Sequence, residues 1–70
     1  MAITMTLTIN GETQEHPIGT TMLVLLNQRV GDQRKGIAVA KNGKILSRHQ
    51  WHENLSDGDQ IEIIVASQGG

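Results

Sequence analysis

Few side chains in this sequence could carry out covalent chemistry, and the group that stands out belongs to the main chain: the carboxylate of Gly70, reached through Gly69. A terminal carboxylate has an unperturbed pKa of about 3.3–3.7 and is ionised at neutral pH. It is a poor electrophile and becomes reactive only when another molecule gives it a leaving group. Glycines carry no Cβ and reach backbone conformations closed to other residues, so a Gly-Gly end can thread a narrow channel. The same dipeptide also ends linkers and fusion scars, so its meaning depends on what precedes it.

The other candidate groups point to little. There is no cysteine, which excludes side-chain thiolate chemistry and disulfides and fits a reducing cytoplasm. His49 and His52 lie three apart beside Glu53, but no third ligand stands at a convincing spacing, so they read as a solvated loop and no metal site is expected. His16 reads as a surface residue. Arg29, Arg34, Lys35, Lys41, Lys44 and Arg48 are scattered, and no Gly-rich phosphate motif is present. No acid, base and nucleophile set converges, so the chain is not expected to be an enzyme in its own right. Six basic against seven acidic residues, one Trp and no Phe or Tyr leave neither a basic face nor an aromatic platform for nucleic acid. No apolar run reaches membrane-spanning length. A protein-binding domain or a protein substrate remains.

The elements that would hold the Gly70 end follow from the periodicity. Ile3 to Ile9 alternates strictly, with Ile3, Met5, Leu7 and Ile9 on one face and threonines on the other, the pattern of a strand with one face on a core. Asn10-Gly11 predicts a tight hairpin, because both turn positions need positive φ. Glu12 to His16 then returns as a polar edge strand ended by Pro17. Gly19-Thr20-Thr21 leads into a helix whose first backbone N–H groups a threonine oxygen can cap. Met22, Leu23, Leu25, Leu26 and Val30 give that helix one broad apolar stripe, and Gly31 suits its left-handed close. Ile37 to Ala40 reads as a second core strand, Asn42-Gly43 as a second tight turn, and Lys44 to Leu46 as a short return strand. Ser47 to Asn54 is irregular or one helical turn, with Trp51 plugging the far end of a thin core and its N–H bonded to backbone. Asp57-Gly58-Asp59 predicts a turn, and Gln60 to Ala66 the last strand. Strands one and five are the most apolar and are expected at the centre of the sheet. The sequence thus predicts an α+β domain over residues 1–66, about five strands covered on one face by a single short helix, and a flexible tail over 67–70.

One helix covers one sheet face only. With Ile61, Ile63 and Val65 inward, Ile64 and Ala66 point the other way together with Ala38 and Ala40. This set next to the tail is a candidate docking patch.

The order of these features resembles a known family. Gly36 to Leu46, then Arg48, Trp51, Asp57-Gly58-Asp59-Gln60-Ile61-Glu62-Ile63 and the closing Gly69-Gly70 are similar to the bacterial thiamin-biosynthesis sulfur carriers (ThiS), as are Asn10-Gly11 and Thr21 before a leucine-rich helix. The resemblance spans nearly the whole chain. It departs at Ser47, where the family often has proline, and in a helix without acidic residues. It implies the ubiquitin-like β-grasp fold, a mixed sheet with one helix. It further implies that the Gly70 carboxylate is adenylated by an ATP-consuming activating enzyme, becomes a thiocarboxylate with the help of a sulfur donor system, and delivers sulfur to thiazole synthase in the cytoplasm. The carrier itself would hold no cofactor stably, and the patch would serve both partners. A carrier for molybdopterin synthesis, a ubiquitin-like protein modifier and a β-grasp interaction module with an inert end stand as alternatives.

Overall fold

A computed structural model describes residues 3–30 and 36–65. Along the chain run β1 (Thr4–Ile9), β2 (Glu12–Pro17), α1 (Met22–Val30), β3 (Ile37–Lys41), β4 (Lys44–Ile45), a single 3-10 turn at Arg48–Gln50, and β5 (Gln60–Val65). The strands form one sheet in the order β2-β1-β5-β3-β4. β1 and β5 are parallel, and the other neighbours are antiparallel. The sheet is therefore mixed, and the last strand lies in its middle.

Both hairpins are made by the Asn-Gly turns. Asn10 and Gly11 have φ of 50° and 85°, and Asn42 and Gly43 have φ of 53° and 85°. Positive φ at both central residues gives the turn a twist that matches the flanking strands, so the pairs Ile9↔Glu12 and Lys41↔Lys44 close in register.

The helix starts as expected: the Thr21 hydroxyl oxygen accepts a bond from the Val24 N–H at 3.2 Å. Met22, Leu25 and Leu26 are buried against Met5, Leu7 and Ile9 of β1, Val39 of β3, and Ile61 and Ile63 of β5. Complete burial of a Leu or Ile side chain contributes roughly 1.5–3 kcal/mol. Trp51 and Leu55 close the end of this core. Their segment is stitched to the helix entrance by Leu23 N–H to Trp51 O and by Leu55 N–H to Thr20 O, each at 2.9 Å.

Three expectations about the core are corrected. Ile3 and Val65, both assigned to the buried face, are 64% and 49% exposed, and Ile3 lies outside β1. A helix of nine residues is about 14 Å long and covers roughly four strand residues, so the ends of the central strands run past its shelter. Trp51 plugs the core as expected, but its indole N–H has no acceptor among the described residues. The Arg48 guanidinium instead lies over the ring, 5.3 Å from its centroid. The expectations for Gly31, for Ala66 and for residues 67–70 fall outside the described residues.

Candidate functional site

The part of the molecule that leads to the Gly70 end is β5, and its placement rests on polar side chains at both of its edges. On one edge the parallel ladder with β1 is short: Thr8 N–H donates to Asp59 O at 3.0 Å, and Asn10 N–H to Ile61 O at 2.9 Å. Side chains lengthen it at each end. The Asn10 amide faces the Ile63 backbone, accepting its N–H at 2.8 Å and donating to its carbonyl at 3.2 Å. At the other end Asp57 accepts the Thr6 N–H at 2.7 Å.

The second Asn-Gly turn does the same from the opposite edge. Asn42 Oδ1 accepts the Gln60 N–H at 2.8 Å, and the Asn42 N–H donates to Gln60 O at 2.7 Å. Its Nδ2 donates to Asp59 Oδ1 at 2.9 Å, while Asp59 Oδ2 accepts the Ser56 N–H at 2.8 Å. Asp59 is buried, and its two oxygens are satisfied by these donors, as a buried carboxylate requires. Both asparagines that make the hairpins thus also hold β5.

Near its end β5 pairs with β3 through Val39↔Ile63, Ala38↔Ile64 and Ile37↔Val65. Residues paired in this way share a face. Ile64 and Ala38 therefore lie on the sheet face away from α1, both exposed, and Ile64 at 58% is among the large apolar residues most open to solvent. Ala40 and Glu62 are the next pair on that face, and Ala40 in turn pairs with Ile45, which is 72% exposed. Of the expected patch, the structure places Ile64, Ala38 and Ala40 side by side; Ala66 is outside the described residues. Ile45 belongs with them and was not anticipated, because a two-residue strand shows no period. Its place is signalled only by the Asn42-Gly43 turn, which puts it opposite Ala40.

His49, His52 and Glu53 are exposed. Among the described residues no group of three or more His, Cys, Asp or Glu could hold a metal, and no helix is long and apolar enough to cross a membrane. His16 is half-buried, its Nε2 2.9 Å from the Gln14 side-chain oxygen.

A mixed five-stranded sheet with one helix across one face and a parallel central pair is the ubiquitin-like β-grasp architecture. The structure superposes on the crystal structure of the thiamine biosynthesis protein ThiS from Geobacter metallireducens with a TM-score of 0.70 and 28% sequence identity, covering 94% of this chain and all of that one. The sulfur carrier protein ThiS of Escherichia coli (strain K12) is 37% identical over an alignment of 68 residues, and the match covers 94% of this chain and all of that protein. The sequence profile of the ThiS family matches residues 3–70. The chain belongs to the ThiS family.

Proposed function

We propose that this protein is a sulfur carrier for thiamin thiazole synthesis, working through the carboxylate of Gly70. The observation that carries this reading is the placement of β5. A central strand fixed from both edges by Asn10 and Asn42 holds Ile63 and Val65 in a defined position. Only five residues separate Val65 from the carboxylate, a span of at most roughly 17 Å fully extended. Membership of the ThiS family and the name of the Escherichia coli relative support the assignment.

In the proposed reaction an activating enzyme joins the Gly70 carboxylate to the α-phosphate of ATP and releases pyrophosphate. A sulfur nucleophile from a donor system then attacks the acyl carbon and AMP leaves, so that one carboxylate oxygen ends in AMP and sulfur takes its place. The resulting thiocarboxylate passes sulfur to thiazole synthase. The carrier supplies position, not acid or base. Gly69 gives the end the slim profile that an enclosed active site needs. The open face with Ile64, Ala38 and Ala40 is the surface by which the partners grip the body, and the cytoplasm is the compartment in which the reaction runs.

Intact-mass spectrometry after incubation with ATP, an activating enzyme and a sulfur donor tests this. The expected result is a gain equal to exchange of one oxygen for one sulfur, confined to the terminal peptide. A chain with one residue appended after Gly70 should show none. An unchanged mass for the native chain, or normal thiazole formation with the extended one, would refute the reading.

A further inference from the structure

The open face contains a polar hollow that the tail chemistry does not use. Between the turns Asn10-Gly11 and Asn42-Gly43 lies a groove of about 330 Å³, with Thr8, Gln60 and Glu62 as its polar lining, Ala40 beside them, and Gly11 and Gly43 at its rims. A Cβ on either glycine would meet nothing within 4 Å, so the groove is open at both rims. Glu62 is exposed, and its carboxylate has no ion-pair or hydrogen-bond partner among the described residues; the Thr8 hydroxyl and the Gln60 side-chain amide have none there either.

Glu62 stands two residues before Ile64 on the same face, roughly 7 Å away along the strand. A protein that covers the open face from Ile64 to Ala40 and Ile45 also covers Glu62, the strand partner of Ala40, and strips water from its carboxylate. Removing a charge from water is costly unless an opposite charge replaces the lost hydration. We propose that the groove receives an arginine side chain of the protein that docks on the open face, an inference that rests on the carrier reading above. A guanidinium offers five N–H donors in one plane, and the groove is lined by several acceptors: the Glu62 carboxylate, the Gln60 side-chain carbonyl and the Thr8 hydroxyl. A lysine ammonium would supply the charge but not the planar fork. The arginine stem would lie along Ala40, which links the groove to Ile45 and to the Ala38–Ile64 pair. Arginine beside buried apolar contacts is a recurrent anchor of protein interfaces.

Two measurements on the full-length chain test this. In the first, the labelled protein is titrated with N-acetyl-arginine methylamide and with its lysine counterpart while amide resonances are followed. Shifts at Gly11, Gly43 and Glu62 that are larger with arginine and vanish in Glu62→Gln are expected; no shifts, or equal shifts with both, overturn the proposal. In the second, Kd for the activating enzyme is measured for the native chain, Glu62→Gln and Ile64→Asp, each first checked for a native melt. Glu62→Gln should weaken binding about tenfold or more, and the loss should shrink as salt is raised. Native affinity in Glu62→Gln with a defect in Ile64→Asp overturns the groove and leaves the carrier reading standing. Failure of the native chain to undergo oxygen-for-sulfur exchange refutes the carrier reading itself.

Discussion

Asn10 pairs with Ile63 as one strand residue pairs with another, although it sits in a turn: its side-chain amide takes the Ile63 N–H at 2.8 Å and gives a bond to the Ile63 carbonyl at 3.2 Å. The contact joins residues 53 apart in sequence and fixes the central strand two positions before Val65. Asn10→Gly keeps the positive φ and removes only this pairing, and should cost about 1–2 kcal/mol. Asn10→Ala adds the strain of a left-handed conformation, bringing the loss to about 2–4 kcal/mol. Urea unfolding of both variants separates the two contributions; native stability in Asn10→Gly would show that the side-chain bonds contribute nothing, and equal losses in the two variants that the left-handed strain contributes nothing.

Asp59 holds the other edge by accepting from Asn42 and from the Ser56 N–H while buried. Asp59→Ala leaves both donors without their acceptor and should lower stability by about 2–3 kcal/mol. In a domain of this size that is a fall in Tm of roughly 4–8 °C per kcal/mol. A calorimetric scan with Tm within a degree or so of native would contradict it.

Trp51 combines a large apolar contribution with an N–H that has no acceptor among the described residues. Trp51→Ala empties the end of the core and should cost about 3–5 kcal/mol. Trp51→Phe gives up volume and the contact with Arg48 but also removes the unpaired donor, so its cost should stay below about 2 kcal/mol. A loss in Trp51→Phe well above about 2 kcal/mol would mean that removing the indole N–H brings no relief.

Ile64 and Ile45 are exposed on the face away from α1. Ile64→Asp and Ile45→Asp should each change folding stability by no more than about 0.5 kcal/mol, while weakening the complex with the activating enzyme, most strongly for Ile64. Calorimetric titration with that enzyme is the check, and native affinity in both variants would remove the patch from the docking surface.

What the sequence revealed about the fold was carried by local signals. The alternation of β1, the two Asn-Gly turns and the Thr21 cap each state a backbone geometry that the chain cannot easily evade, and the structure has all of them. Ile3 and Val65 misled because alternation tells which face a residue takes but not whether anything lies over that face; the helix is nine residues long, and both side chains are left exposed. Asp59 looked like an ordinary turn residue. Its burial follows from Asn42 and Ser56, seventeen and three positions away, and no window along the sequence contains that meeting. The open face was legible for Ile64 and Ala38, whose strands are long enough to show a period. Ile45 and the groove beside Glu62 emerge only once β4 is placed against β3.

The position of β5 between β1 and β3 also bears on synthesis. Until that strand leaves the ribosome, the preceding segments can make only two separate hairpins that share no ladder, and assembly waits on the last strand to arrive. A fragment cut short before Gln60 lacks this central strand and with it the ladder that joins the two hairpins. Partners that recognise the sheet face would therefore meet no well-folded decoys whose delivery strand is missing.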